Sequence, residues 1–172
     1  RTAQVDFFDR RNKKIDTIEY GYREAEELYA LLETEKINLN YCYVKNFSLA
    51  EYRIRKQLQT NHLIILSKFS AKNSFFDCDV TTDFSFVHFQ ANKISFESAI
   101  FSSGINNFTG AKFGNAIVSF RRTRFGDGTI DFRFAEFGDG NISFHYSHFG
   151  DGDVFFVNTN FGNSNIDFRT VT

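Results

Sequence analysis

From Phe84 onward the chain carries a phenylalanine every twelve residues, and a second phenylalanine follows each one five residues later. A small or branched residue often stands two positions before each ring, as Ile94 does before Phe96 and Ala99 before Phe101. Residues two apart on a strand face the same side, so each such pair predicts a short strand with two inward side chains. We expect the inward rings to form a stacked core: Phe84, Phe89, Phe96, Phe101, Phe108, Phe113, Phe120, Phe125, Phe132, Phe137, Phe144, Phe149, Phe156, Phe161 and Phe168.

Between these strands the spacing alternates between five and seven residues, and the longer gap contains typical turn residues. It holds Gly-Asp-Gly at 126–128, 138–140 and 150–152, Gly-Asn-Ala at 114–116 and Gly-Asn-Ser at 162–164. Glycine tolerates positive φ, and Asp or Asn hydrogen-bonds its own turn. A repeat this regular predicts a solenoid in which each unit stacks on its neighbours.

The length of one coil follows from the space that the rings need. If twelve residues formed one coil, the coil would have only two walls, with two phenylalanines per layer between them. Packed sheets need about 10 Å between them for large side chains, which argues against so thin a coil. Two repeats, or 24 residues, give four walls with room for four rings. The sequence therefore predicts that Phe84 stacks on Phe108 in one column and Phe96 on Phe120 in the opposite one, about 4.8 Å apart.

A purely five-residue spacing precedes this region. The inward pairs are Ile37 and Leu39, Cys42 and Val44, Phe47 and Leu49, and Tyr52 and Ile54. An inward residue two before a central Leu or Phe, repeated every five, resembles the pentapeptide-repeat family over about residues 37–168. The resemblance implies an all-β fold, a right-handed four-sided parallel β-helix with one pentad per face. The sequence departs from the family pattern at the seven-residue gaps, which add two residues to every second face from Phe89 onward.

The remaining segments predict an N-terminal cap and two irregular stretches. Residues 1–16 are expected to be an irregular tail or part of a cap, and Tyr22–Glu35 an amphipathic helix that covers the end of the core. We place the N-terminal tail and capping helix at 1–36 and the β-helix at 37–172, within a single domain. Residues 55–62 are expected to form a polar loop.

Residues 64–84 allow two five-residue frames and predict an irregular turn near Phe75–Val80. The first frame passes through Phe69, Ser74, Asp79 and Phe84. The second frame passes through Leu66, Ala71, Phe76, Thr81 and Phe86.

Composition restricts the possible partners and the compartment. The chain has 172 residues, a net charge of −1 and a pI near 6.5, so no overall field attracts nucleic acid or an anionic membrane. We expect nucleic-acid binding to be absent. No apolar run reaches membrane-span length. Two cysteines, Cys42 and Cys78, fit a reducing compartment and a cytoplasmic location.

The candidate ligands for a metal ion favour structural roles. Asp127 and Asp151 fall at one corner and Asp139 at the opposite corner, but calcium-binding repeats need a nine-residue period and more oxygen ligands. His145 and His148 have no Cys or carboxylate partner at a recognised spacing. Cys42 occupies an inward position, as a small core residue would. We expect no metal, no cofactor and no catalytic residue.

Two surface features are candidates for a partner contact. Arg121, Arg122, Arg124 and Arg133, with Lys112, are predicted to crowd one part of the wall, where interleaved Asp127 and Asp131 favour a mixed-charge surface. Phe134, Tyr146 and Phe155 fall on outward positions, and exposed aromatics on a polar wall indicate a partner contact.

Two functional hypotheses follow, and a third, an enzyme, would need a clustered polar site that the sequence does not show. The first is a non-catalytic structural or protein-interaction solenoid that is not an enzyme. The alternative, implied by the resemblance, is a DNA-mimicking protein that binds and protects DNA gyrase; the balance of 20 Lys and Arg against 21 Asp and Glu opposes it. The last repeat lacks a cap, so we expect either that the chain is a piece of a longer protein or that two molecules form a homodimer through the C-terminal end; the resemblance favours the homodimer.

Overall fold

The computed structural model describes all residues 1–172 as a strand-rich chain with two short helices. The helices are α1 (Ala25–Leu32) and α2 (Leu49–Arg55). The strands are β1 (Thr2–Phe8), β2 (Lys14–Glu24), β3 (Lys36–Asn38), β4 (Cys42–Lys45), β5 (Ile64–Leu66), β6 (Lys68–Ser70), β7 (Phe75–Asp77), β8 (Thr81–Asp83), β9 (Val87–Phe89), β10 (Lys93–Ser95), β11 (Ile100–Phe101), β12 (Ile105–Asn107), β13 (Ile117–Ser119), β14 (Ile130–Asp131), β15 (Ile142–Ser143), β16 (Val154–Phe155) and β17 (Ile166–Asp167).

These strands form four sheets, and every pairing except β1 with β2 is parallel. Sheet A runs β1-β2-β4-β7-β11, sheet B β17-β15-β13-β10-β6-β3, sheet C β16-β14-β12-β8, and sheet D β5-β9. In the repeat region the partners are 24 residues apart, since Ile94 pairs with Val118 and Asn106 with Ile130. Isolated bridges such as His88 to Lys112 continue sheet D with the same step. The arrangement is compatible with an all-β solenoid, and we call each 24-residue step a layer.

Phenylalanine rings fill the interior in four columns. Phe84 is stacked on Phe108 with ring centroids 5.2 Å apart and planes 3° apart, and Phe96 is stacked on Phe120 at 4.9 Å and 3°. Phe113 is stacked on Phe137 at 4.5 Å. The expected 24-residue neighbours are therefore the ones that stack. The rings from Phe84 to Phe144 are buried, whereas the last layer packs on one side only and leaves Phe168 42% exposed.

Each strand of sheets B and C is followed by a tight turn that contains a residue of positive φ. The Ala99 N–H donates to the Phe96 carbonyl at 2.9 Å, and Ser98 between them has φ 55°. Two turns further along, the buried Thr123 hydroxyl donates to the same carbonyl of Phe96 at 2.8 Å and so ties adjacent layers together. The turn residues of positive φ recur every twelve positions: Phe86, Ser98, Gly110, Arg122, Phe134, Tyr146, Asn158 and Thr170.

Glycines of the Gly-Asp-Gly turns have two different roles. Gly138 has φ 67°, as expected for a turn glycine. Gly128 has no positive φ, but a Cβ atom there would overlap the backbone of Gly104 in the adjacent layer. The second glycine is therefore required for close contact between layers rather than for its conformation.

The N-terminal segment is a β-hairpin. Of the two alternatives for residues 1–16, an irregular tail or part of a cap, the irregular tail is therefore wrong. The Asp9 carboxylate accepts from the backbone N–H groups of Arg11 and Lys13 at 2.8 and 2.9 Å and closes the turn. Strand β2 then pairs with β4, and Phe7 and Tyr20 pack against Phe75 on the outer surface of sheet A. The charged turn had hidden the alternating pattern of Ala3, Val5 and Phe7.

Helix α1 is shorter than the expected Tyr22–Glu35, because Tyr22–Glu24 complete β2. Its buried residues, Leu28, Tyr29 and Leu32, belong to the same hydrophobic core as the rings.

The third and fourth five-residue pairs do not form strands, since α2 begins at Leu49. Tyr52 and Ile54 lie on α2, where Tyr52 is buried and Ile54 is 68% exposed, whereas the three earlier pairs are all buried. The Ser48 hydroxyl caps this helix by accepting from the Glu51 N–H at 3.1 Å. The signal for a helix was therefore present at Ser48, three residues before Glu51.

Neither five-residue frame continues through residues 64–84. Leu66, Phe69, Ala71, Ser74 and Phe76 are all buried, so both frames contribute inward residues up to Phe76. The irregular turn expected near Phe75–Val80 lies between the end of β7 at Asp77 and the start of β8 at Thr81. After this turn the inward positions are Thr82 and Phe84.

Candidate interaction surface

Polar residues at every twelfth position cap the turns of the repeat region, alternately on sheet C and on sheet B. At each position the side chain accepts a hydrogen bond from the backbone N–H two residues later, for example from Thr109 to Asn107 at 3.0 Å and from Arg169 to Asp167 at 3.0 Å. Such short-range bonds satisfy turn donors that a strand ladder cannot reach. The members of this turn-cap row are spaced by twelve: Asp83, Ser95, Asn107, Ser119, Asp131, Ser143 and Asp167.

Phe155 interrupts the turn-cap row. It occupies the twelve-residue position between Ser143 and Asp167, pairs with Asp131 in sheet C and is 36% exposed. A phenylalanine cannot accept the turn hydrogen bond, and its ring gains little from a half-exposed site. Places where a sequence breaks its own structural rule are often functional, so this residue marks the candidate surface.

An arginine lies over the exposed ring. The Arg133 guanidinium is 5.6 Å from the Phe155 ring centroid, and it also binds the Asp131 carboxylate, with Nη2 to Oδ2 at 2.6 Å and Nε to Oδ1 at 3.0 Å. Burial alone would raise the pKa of Asp131, but the Arg133 hydrogen bonds and charge hold that pKa below its ordinary value. The pair thus fixes a planar cation beside an apolar ring.

Two further apolar side chains extend this surface. Phe134 is 56% exposed at a turn position with φ 58°, and its N–H donates to the carbonyl of Val157, which is 54% exposed. A bulky aromatic at positive φ is uncommon. We call Arg133, Phe134, Phe155 and Val157 the Phe155 patch.

The surface residues that the sequence grouped together are divided between different sheets. Tyr146 is exposed and lies in a turn that follows sheet B, and its N–H donates to the Arg169 carbonyl at 3.2 Å. Arg122 occupies the equivalent turn one layer earlier. Tyr146 is therefore outside the Phe155 patch, which lies at the end of sheet C strands.

The predicted arginine cluster is not a single group. Arg121 and Arg122 follow β13 in sheet B, and Arg124 continues sheet A between Ile100 and His148. Arg133 follows β14 in sheet C. Lys112 lies in sheet D and forms an ion pair with Glu136 at 3.0 Å. The prediction that these five residues crowd one part of the wall is wrong, because residues twelve apart fall on different sheets.

The aspartates of the Gly-Asp-Gly turns bond to neighbouring layers. The Asp139 carboxylate accepts from the Asn163 backbone N–H at 3.0 Å, and the Asn115 side chain accepts from the Asp139 N–H at 3.1 Å. Asp127 accepts from the Asp151 N–H at 3.4 Å in the same way. No group of three or more His, Cys, Asp or Glu side chains is arranged to hold a metal ion.

The histidines and cysteines lie in separate environments. His145 Nδ1 is 3.9 Å from an Asp167 oxygen, and His148 Nδ1 is 2.9 Å from the Thr172 hydroxyl. Cys42 is buried, which raises the pKa of its thiol, and the Cys78 thiol donates to the Thr81 carbonyl at 2.7 Å. Both cysteines are free thiols.

Sequence reasoning missed a buried ion pair under α2. Arg53 and Asp83 are each 2% exposed, and their nearest charged atoms are 3.6 Å apart. The guanidinium donates to the Ser85 carbonyl at 2.8 Å and hydroxyl at 2.6 Å, while Asp83 accepts from the Ala50 N–H at 2.6 Å. Burial lowers the pKa of Arg53. The only available signal was that Asp83 begins the turn-cap row, immediately before the first residue of the phenylalanine series.

Comparison with known proteins found no matching family model, no matching curated protein and no matching solved structure. Neither helix has the length and apolar character needed to cross a membrane.

Proposed function

We propose that the protein is a non-catalytic interaction module whose scaffold is a right-handed parallel β-helix similar to pentapeptide-repeat proteins. The parallel pairing at 24-residue steps and the four columns of stacked rings support this scaffold. The interior is occupied by one continuous cluster of buried hydrophobic side chains. Function on such a scaffold therefore depends on outward side chains at fixed positions.

The observation that carries the proposal is the replacement of a turn-capping residue by Phe155. Seven equivalent positions hold a Ser, Asn or Asp that accepts a turn hydrogen bond, and this one holds an exposed ring. With Phe134, Val157 and Arg133 it forms an apolar patch with one cation at its edge. Aromatic and arginine side chains are enriched where binding energy concentrates in protein interfaces.

The proposed partner is a protein with an apolar surface and, at the edge of that surface, a hydrogen-bond acceptor. An apolar contact would cover Phe155, Phe134 and Val157. The Arg133 guanidinium has five donors, and those not used by Asp131 remain for a carbonyl or carboxylate of the partner. We place this interaction in a reducing compartment such as the cytoplasm, consistent with two free thiols.

The test is capture of partners from the native host with wild-type protein and a Phe155→Ser variant. The substitution restores the residue type of Ser143 and Ser119, so the variant is expected to fold at least as stably as wild type. We expect it to lose at least about tenfold in affinity for the specific partner, the effect of losing one well-packed aromatic anchor.

A matched control comes from sheet B. Ile117 is 53% exposed, so Ile117→Ser removes a comparable apolar side chain outside the Phe155 patch. Retention of the partner by Ile117→Ser and its loss by Phe155→Ser would support the proposal. Equal capture by wild type and Phe155→Ser, or no specific partner at all, would contradict it.

A further inference from the structure

Sheet B carries three lysines in register on its outer surface. Lys36 pairs with Lys68, and Lys93 continues the column because the following residues, Ile94 and Phe69, are paired. All three side chains are exposed on consecutive layers, about 4.8 Å apart at the backbone. We call these residues the lysine column.

Nothing within the chain neutralises the lysine column. No ion pair within the chain includes Lys36, Lys68 or Lys93. Glu35 and Glu97, the nearest carboxylates along the chain, form no ion pair with them. Like charges directly opposite each other on neighbouring strands destabilise a sheet. Three in a row therefore cost stability unless an external anion lies between them.

The column borders a groove that is lined with hydrogen-bonding groups. A depression of about 520 Å³ contains Lys68 and Lys93 together with amide and hydroxyl side chains. An adjoining depression of about 260 Å³ shares Lys93 and adds Lys72. No Asp or Glu lines either depression. The polar neighbours are Asn38, Asn40, Ser67, Ser70, Gln90, Asn92 and Ser95.

The chemistry of the groove suits an anion with several phosphoryl groups. Lysine ammonium groups bind phosphate oxygens as point charges, and no arginine, which binds either carboxylates or phosphates bidentately, lines the groove. The apolar residues at its base, Ile37 and Phe69, are 2% and 4% exposed, so no ring is available to stack on a nucleic-acid base.

We propose that the lysine column and its groove bind an oligophosphate, an anion with several linked phosphoryl groups. Successive ammonium groups along the column contact successive phosphoryl groups, and the amides and hydroxyls donate to the remaining oxygens. The site is on sheet B, whereas the Phe155 patch is at sheet C, so neither proposal depends on the other.

Isothermal titration calorimetry with tripolyphosphate tests this site on the intact chain. We expect saturable binding that weakens as salt rises, and at least about tenfold weaker binding for Lys68→Gln, since each charge-assisted contact contributes that much. The control is Lys13→Gln, which removes the same charge from the exposed hairpin turn. We expect wild-type affinity for this control.

Thermal unfolding gives a second readout that does not depend on measuring affinity. Without ligand, Lys68→Gln should unfold about 2–4 °C higher than wild type, because like-charge repulsion is relieved. Tripolyphosphate should raise the wild-type midpoint by more than it raises that of Lys68→Gln. No binding to wild type at about millimolar tripolyphosphate, an equal loss with Lys13→Gln, or tighter binding of an oligoglutamate peptide would overturn the proposal.

Discussion

Phe84 meets Phe96 edge to face, with ring centroids 5.4 Å apart and planes 89° apart, although these residues occupy equivalent positions in consecutive repeats. Phe84 instead lies parallel to Phe108, two repeats further on. The same relation holds for Phe108 with Phe120 at 5.8 Å and 87°. Edge-to-face contact across the interior and stacking along each column both satisfy the quadrupole of the ring. A core made almost entirely of phenylalanine can therefore avoid the unfavourable face-to-face contact between rings.

Phe132→Ala should be strongly destabilising, because this ring is fully buried and stacked between Phe108 and Phe156. The adjacent layers are held by their own strand pairing and cannot collapse into the cavity. We expect a loss of about 3–5 kcal/mol in the free energy of unfolding, measured with denaturant.

Phe134→Ala is the matched control for that measurement. It removes the same side chain two residues later, at a position 56% exposed, and should change stability by less than about 1 kcal/mol. A loss below about 1 kcal/mol for Phe132→Ala would show that the ring is outside the core.

Arg53→Ala should also be costly, because it leaves the Asp83 carboxylate buried without its counter-charge. We expect a loss of about 3–5 kcal/mol. Arg55→Ala, two residues later on α2, removes an exposed arginine that pairs with Glu51 and Glu26, and should cost about 0–1 kcal/mol. Similar losses for the two variants in denaturant unfolding would contradict a structural role for the buried pair.

The repeat region was predictable because each layer has the same local chemistry. The twelve-residue spacing and the space needed by four rings were enough to derive the 24-residue step and the stacking of Phe84 on Phe108. The inward residues could be predicted without knowledge of long-range contacts, because each one packs against the equivalent residue of the adjacent layer.

The parts outside the repeat were predicted less well, for identifiable reasons. Helix α2 carries Tyr52 and Ile54 at the five-residue spacing of strands, so the strand pattern concealed a helix. The N-terminal hairpin depends on Phe7 and Tyr20 packing on Phe75, which is far away in the sequence.

The candidate surface was only partly predictable. Phe134 and Phe155 were expected to face outward, and both are exposed. Their separation from Tyr146, and the contact of Arg133 with Phe155, depend on which repeat belongs to which sheet. The lysine column could not be predicted either. The alignment of Lys36, Lys68 and Lys93 depends on where α2 and the loop after it interrupt the five-residue spacing.

The Asp131–Arg133 pair should make stability depend on pH in the acid range. The folded state lowers the pKa of Asp131 below its ordinary value of 3.8, so the contribution is fully present above that pH and is lost as the pH falls through the lowered pKa. Asp131→Asn should therefore be less stable than wild type near neutral pH, and the difference should shrink at lower pH. Denaturant unfolding at several pH values measures it.

Arg133→Gln provides the control for this dependence. Without the guanidinium, the main cause of the lowered pKa is removed, so adding Asp131→Asn in this background should produce a difference that changes little with pH. An unchanged pH dependence in the Arg133→Gln background would show that another group controls Asp131.

The protein should not inhibit DNA gyrase supercoiling at low micromolar concentration. A DNA mimic needs a continuous negative surface, because the field of the duplex comes from regularly spaced phosphates. Here Lys36, Lys68 and Lys93 form an uncompensated positive column on sheet B, and Arg121, Arg122 and Arg124 are exposed further along the chain. A supercoiling assay with a known gyrase inhibitor as positive control measures the effect directly. Clear inhibition at that concentration would contradict this prediction and favour the gyrase-binding alternative that the pentapeptide-repeat resemblance implies. The gyrase-binding surface would then have to be a negative face of the molecule that contains none of these lysines and arginines.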